Sequence, residues 1–481
     1  MSIRSTINLV SAQARYYSQV RQNNLAFLQF QASSGLKHQR LSDDPIASER
    51  LFSLKRTVNS LDANKAVMDE VESTLNLSVS NLTEAHQIVR NLQQISIQAR
   101  QADDAELPIL ASQVDDLLGR LVNLANATEN DRYQYGGQND KTTPYVRNPE
   151  GDYPPYLYQG GNEALEVTIS ENIRMDIYRP GQEIFGSLAR GETVFVGETG
   201  AKPGAGTDSA KIQGSLQVVH SLTSYPGGSG VAAGTDSVNG DTIIGALGTH
   251  QLNLIDTSGT GASGTVQLNG GPEFNWSSAD DNLKIEGPKG EVVFLDTQGI
   301  AAGFSGAVDL VADGTLSVDG GVSTVPIDFS NNQLLTDTQT DDVTNVDSSE
   351  IVRVGSELIE YTGTSDLFST ITELKNDLLN SRGLVGKQWD QSLLRRGQDL
   401  EGHANAIIET VGEQSVSLES LVGLRERNRA YSLEVTQVID DVEGADLTEV
   451  VLQLQEEQNL LQYTFAVTSS ILSQNLLDYL K

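Results

Sequence analysis

Apolar residues return every three or four positions at both ends of this chain. At the N-terminus Ile3, Ile7, Val10, Ala14 and Tyr17 step by four, three, four and three, and after a slip the seam resumes at Leu25 and Leu28. At the C-terminus Leu447, Val451, Leu454, Leu461, Phe465, Leu472 and Tyr479 keep a seven-residue beat, with polar Gln458, Thr468 and Asn475 on the missing rungs. A strict 3.5-residue repeat is a coiled-coil seam, because it keeps one narrow stripe turned to a partner helix. Stripes this narrow and long predict assembly helices over 1–40 and 446–481 rather than two helices tucked into a globular core.

Between them the pattern changes twice. Asp44 is a good N-cap and Pro45 suits the first helical position, where its missing N–H costs nothing. From there Leu54, Val58, Leu61, Met68, Leu75, Val79, Leu82 and Val89 form a seam that shifts to Leu92, Ile95 and Ala99. A helix over 45–100 would be roughly 80 Å long at 1.5 Å per residue. A second follows with Leu107, Leu110, Val114, Leu117, Leu121 and Leu124 in step. The helical period resumes at Leu367 with Ile371, Leu374 and Leu378, then Leu393, Leu400, Ala404, Ile407, Val411, Leu418 and Leu421. Three antiparallel helices make a bundle.

Between about 131 and 365 the period becomes two. Leu165, Val167 and Ile169, then Ile173, Met175 and Ile177, alternate beside turn signals at Gly160-Gly161 and Pro180-Gly181, which predicts hairpins. From 191 to 365 short strands such as Val293–Leu295 and Leu316–Val318 recur among Gly and Asp turns. The predicted fold is mixed: an α-helical rod or bundle from both termini with terminal coiled-coil segments, plus β hairpins and an inserted β-rich outer domain. Five regions follow: 1–40, 41–190 with rod helices and hairpins, 191–365 as the acidic β insert, 366–445 as the returning rod, and 446–481.

Charge sharpens this picture. Residues 1–34 carry Arg4, Arg15 and Arg21 and no acid, whereas 446–481 carry Asp446, Glu449, Glu456, Glu457 and Asp478 against Lys481, so the two ends attract. The whole chain has a formal charge of −33, which argues against nucleic-acid partners and would repel an anionic membrane. No stretch reaches the ~20 apolar residues that span a bilayer, and the N-terminus lacks the apolar run of a cleaved signal peptide. Cysteine is absent, so disulfides, thiolate nucleophiles and Cys-based zinc sites are excluded.

Candidate chemistry is sparse. The five histidines His38, His86, His220, His250 and His403 show no helical ligand spacing. Gly259–Gly264 matches GxGxxG literally, but without a following helix it reads as a turn rather than a nucleotide site. The acidic clusters Asp280-Asp281 and Asp341-Asp342 lack EF-hand spacing and read as solvated turns. No catalytic constellation, metal site or cofactor site is expected. A carbohydrate-binding or lytic role for the insert is disfavoured by its few aromatics, among them Trp276, Tyr225 and Tyr361.

Several segments carry a family resemblance. Gly35–Leu61, with Asp43, Asp44 and Pro45, resembles the approach to the long rod helix in the bacterial flagellin superfamily, and its proline is similar to that of the hook–filament junction proteins. Leu121–Tyr145, with Gly136 and Gly137 after Tyr135, is similar to that family's helix-to-hairpin transition. Gly181–Gly186 and the C-terminal stretch Tyr463–Leu480 resemble further family segments. The resemblance implies a non-enzymatic adaptor of the flagellum, exported without a cleaved signal and assembled extracellularly through its terminal helices. It implies as partners other copies of itself, the first hook-associated protein, flagellin and an export chaperone. A flagellin-type filament subunit is the alternative.

Overall fold

The computed structural model describes residues 2–40, 42–149, 153–211 and 213–479, with side chains over residues 9 and 12–470 of that set. Wherever the 3.5-residue beat is sustained, the chain is helical. Eight helices occur among the described residues: α1 Ser2–Ser34, α2 Pro45–Ala99, α3 Leu107–Ala125, the short α4 Gly181–Phe185 and α5 Ser237–Gly240, α6 Leu367–Leu378, α7 Lys387–Glu443 and α8 Leu447–Tyr479. The chain divides into two compact units, one of Met1–Asn76, Val167–Met175 and Ser415–Lys481, the other of Leu77–Glu166 and Asp176–Gln414.

In the first unit α1 runs antiparallel to α8, and the first half of α2 antiparallel to the second half of α7. Asn428 Nδ2 donates to Leu61 O at 2.8 Å, Lys55 Nζ lies 2.9 Å from Glu443, and Arg425 pairs with Glu72. The two chain reversals are stitched together by backbone: Lys37 N donates to Glu443 O at 2.9 Å and Ala445 N to Gly35 O at 2.8 Å. Gly35 ends α1 with a φ of +72°, a left-handed conformation that favours glycine.

In the second unit, α2, α3, α6 and α7 close one core. Leu82, Val89, Leu92, Val114, Leu121, Ile371, Leu374, Leu393, Leu400 and Ile407 are all buried. Met68, Val71, Leu75, Ser78, Leu82, Ala85, Val89, Leu92, Ser96 and Ala99 of α2 are buried at 3.5-residue spacing, and Thr74, Ile88 and Ile95 are buried beside them. The expected residues Leu92, Ile95 and Ala99 are all buried, small Ser78 and Ala85 hold rungs of the same line, and Val79 lies beside it. The returning segment is two helices. Asn380, Gly383 and Gly386 have positive φ, and Asn380 Oδ1 accepts from Leu384 N at 2.7 Å, so the loop between Leu378 and Lys387 turns where a helix cannot continue.

The insert holds one large antiparallel sheet and two three-stranded ones, Ala232–Ala233 with Val292–Asp296 and Leu283–Glu286, and Gln333–Thr336 with Val343–Asp347 and Lys202–Pro203. The strands of the large sheet lie in the order Glu273–Ser277, Ser263–Leu268, Gly245–Asp256, Ser305–Ser317, Gly214–Ser224, Gly355–Tyr361 and Thr193–Val196, with Val325–Pro326 pairing off this path. Strand alternation puts Leu252, Leu254, Val266, Leu268, Trp276, Val308 and Leu310 into one core and Leu216, Val218, Leu316 and Ile359 into another.

Candidate functional site

The terminal helix pair has two faces. On α1 the inward positions Ala14, Ser18, Arg21, Leu25 and Leu28 are half-buried or buried, again at 3.5-residue spacing. Opposite them on α8 stand Val450, Leu454, Glu457, Leu461, Thr464 and Thr468. At the middle of the seam Arg21 Nη1 lies 2.8 Å from Glu457 Oε1, which also accepts from Asn24 Nδ2 at 3.1 Å. Periodicity placed Gln458 on the polar rung, but the inward charge is Glu457. A charged residue reads as solvent-facing until its partner is known.

The structure therefore brings Ala14, Leu25, Leu28, Leu454 and Leu461 together. It does not bring Tyr17, Leu447, Val451 or Phe465 to that seam; all four are exposed, as are Leu9, Tyr16, Leu452, Tyr463 and Val467. Tyr463 keeps 69% of its surface and Tyr16 66%. A groove of about 370 Å³ opens beside them, lined by Ala14, Tyr17, Leu460, Tyr463, Thr464 and Val467 among others. The side chains of Ile3, Ile7, Val10, Leu472 and Tyr479 lie outside the described residues. Exposed residues of this size each gain about 1.5–3 kcal/mol on full burial, so contact with further chains would stabilise these positions.

The remaining motif residues have local tasks. Asp44 Oδ1 accepts from Ala47 N at 2.9 Å, capping α2 directly before Pro45, and Asp43 Oδ2 accepts from Arg40 N at 2.8 Å to close the preceding turn. Gly137 has a φ of +56°, and a Cβ there would meet Glu163 O at 2.6 Å. Gly136 O accepts from Gly161 N at 2.8 Å, and Gly181 N donates to Tyr135 O at 2.8 Å. Tyr135, Tyr145, Phe185 and Phe368 then cluster, with ring centroids 4.6 Å apart for Tyr145–Phe368 and 5.5 Å for Tyr135–Phe185. Burial raises the Tyr135 and Tyr145 hydroxyls well above the usual phenol range, so both are neutral packing groups.

Reactive arrangements are internal. The GxGxxG amides are already used: Gly259 N and Gly261 N donate to Asp256 at 3.0 and 2.7 Å, and Thr260 N and Ala262 N to Ser258 Oγ at 3.2 and 3.0 Å. The Ser258 hydroxyl and the Gly303, Gly261 and Ser258 amides hold the Asp256 carboxyl far below its usual range. No amide is left to cradle a phosphate. His220, Thr223, Asp241 and Ser237 form a buried polar network, with the Thr223 hydroxyl 2.8 Å from His220 Nε2 and donating to Asp241 at 2.6 Å. Ser237 donates to Asp241 as well, at 2.6 Å. All four are sealed from solvent, so they brace the insert and meet no substrate. Sequence spacing gave no hint of this network, since its members come from two elements, the strand Gly214–Ser224 and α5 with its C-terminal cap Asp241. Trp276 is buried and Tyr225 packs against the same core, so neither offers a sugar platform. Among the described residues no group of three His, Cys, Asp or Glu side chains is placed to hold a metal ion, and no helix is long and apolar enough to cross a membrane.

The described residues thus form long paired terminal helices, a helical bundle and a β-rich insert. The solved structures to which the chain is similar include flagellar proteins. The flagellar junction protein FlgL from Legionella pneumophila has 14% identity and a TM-score of 0.41 over 82% of this chain and 100% of that one. Flagellar hook associated protein-3 from Legionella pneumophila gives 15% and 0.43, covering 81% and 98%. FlgL from Xanthomonas campestris gives 14% and 0.38, covering 82% and 99%. No protein-family model matches the chain, and no curated protein sequence matches it.

Proposed function

We propose that this chain is a non-enzymatic structural adaptor of the bacterial flagellum, joining the hook to the filament. The observation that carries the reading is the terminal helix pair: one stripe is satisfied within the chain, and several large apolar residues outside it are left exposed. Such exposed residues suit a subunit completed by neighbouring copies, because association removes that surface from water. The Asp43-Asp44-Pro45 approach to α2 supports a junction protein over a filament subunit.

On this reading residues 1–40 and 446–481 are the assembly segments, 41–190 and 366–445 the rod, and 191–365 a displayed module. The partners are other copies of the chain, the first hook-associated protein on one side and flagellin on the other. An export chaperone covers these exposed residues before assembly, and export leaves the N-terminus uncleaved.

Immunogold labelling of isolated flagella, combined with gene deletion, tests this. A label confined to the distal end of the hook, with deletion leaving intact hooks and flagellin released into the medium, is the expected result. A label along the full filament would make the chain a filament subunit instead.

A further inference from the structure

Where the insert returns to the helices, a buried charge cluster holds more acid than base. Arg396 of α7 is 2% exposed. It pairs with Glu360 from the strand Gly355–Tyr361, and its Nη1 lies 2.7 Å from Glu373 Oε2 and 3.2 Å from Asp399 Oδ2. Its Nε is 3.5 Å from Asp377 Oδ2. Arg382, from the loop before α7, donates through Nε to Asp377 at 3.1 Å and lies 3.7 Å from Glu360. Arg395 lies 3.2 Å from Asp399. Three guanidinium groups thus face four carboxylates, which leaves one negative charge in excess around buried Arg396.

The excess falls on Glu373. Asp377 also accepts from Ser392 Oγ at 2.5 Å, and Glu360 from Ser392 at 3.4 Å. By contrast, neither Glu373 oxygen receives an aligned hydrogen bond, close as Arg396 is. An ionised carboxylate has only acceptors, so in this setting it is desolvated without return; a carboxylic acid avoids that cost. Burial first, and then the Glu360 and Asp377 charges, push its carboxyl up to about 7 against the pull of Arg396 and Arg382.

Other groups facing α6 are committed elsewhere. The Tyr153 hydroxyl donates to Ser365 at 2.8 Å and is held neutral by burial. Asp366 caps α6, accepting from Ser369 N at 2.9 Å. His403 is buried, and its imidazole is pushed down to about 4. Lys375 reaches Asp115 of α3 at 2.5 Å. The neighbouring attachments of the insert are uncharged: Gln388 Nε2 donates to Val196 O at 3.1 Å and Ser356 O at 2.9 Å, and Gly191 N to Thr362 O at 2.9 Å.

We infer that the seat of the β insert on the helices is proton-operated: one proton, held on Glu373, completes the Arg396 cluster, and its loss slackens the attachment. This goes beyond the adaptor role and does not rest on it. The sign follows from linkage. A carboxyl whose native value is raised from 4.5 to about 7 binds its proton in the seated state and not in the open one across that window. Seating is therefore strongest at the acid end and weakens as pH rises towards 7, by up to ~10-fold in the opening equilibrium per pH unit.

Hydrogen exchange of the full chain at pH 5 and pH 8, corrected for intrinsic exchange, reads this at residues 188–196, 355–366 and 388–397. Protection there should fall at least ~10-fold at pH 8, while the sheet core around Leu252–Leu254 changes little. Glu373→Gln should keep protection high at both pH values. Flat wild-type protection overturns the proposal, whether or not the variant folds. So does a pH dependence that survives in Glu373→Gln, or one that disappears in His403→Gln instead.

Discussion

Asp44 and Gly137 show how much of this chain is decided one residue at a time. Asp44 caps the Ala47 amide at 2.9 Å, so Asp44→Ala should cost about 1 kcal/mol. The loss would be read as a lower melting temperature with faster exchange at residues 46–48. Gly137→Ala should cost more than ~1 kcal/mol, because the left-handed backbone and the Glu163 carbonyl both refuse a Cβ. Equal melting temperatures for Gly137→Ala and the wild type would contradict that geometry. Both positions were legible in the sequence because their demands are local: a cap next to a proline, and a glycine pair after an aromatic. Glu457 was not legible. Its inward position depends on Arg21, which is 436 residues away.

Among the elements, α1 and α8 form the pair to which the proposed function assigns assembly. Leu454→Asp together with Leu461→Asp puts unpaired charges into the inner seam, and should lower helicity in the terminal pair while the near-ultraviolet signal of buried Trp276 stays unchanged. Tyr463→Asp and Phe465→Asp alter exposed positions of α8 outside the inner seam. They should leave monomer helicity intact and still prevent incorporation into flagella, measured by labelling cells that express the variant alone. Assembly of this variant at wild-type levels would rule out those positions. The periodicity of both helices was visible in the sequence. Which of two adjacent stripes faces the partner was not, because a helix with apolar residues on neighbouring faces presents both equally until a second helix packs against it.

For the molecule as a whole, the ends and the β insert should be separable. Removing residues 1–34 should leave the sheet and the core of α2, α3, α6 and α7 folded, since those cores draw on residues from 82 to 407 and on the insert itself. Circular dichroism should then show the strand signal retained and helix lost, with no assembly into flagella. Loss of the strand signal as well would mean that the cores depend on the terminal pair.

By itself the sequence determined the helical and strand segments, the capped start of α2, the absence of thiol chemistry and the acid excess of the insert, because periodicity, capping and composition act over a few residues. Tertiary structure alone decided the inner seam through Glu457, the burial of small Ser78 and Ala85 along α2, and the gathering of Glu360, Glu373, Asp377 and Asp399 around Arg396. Each of these needs partners brought together from separate elements, and a carboxylate's burial or a serine's rung exists only once those elements have packed.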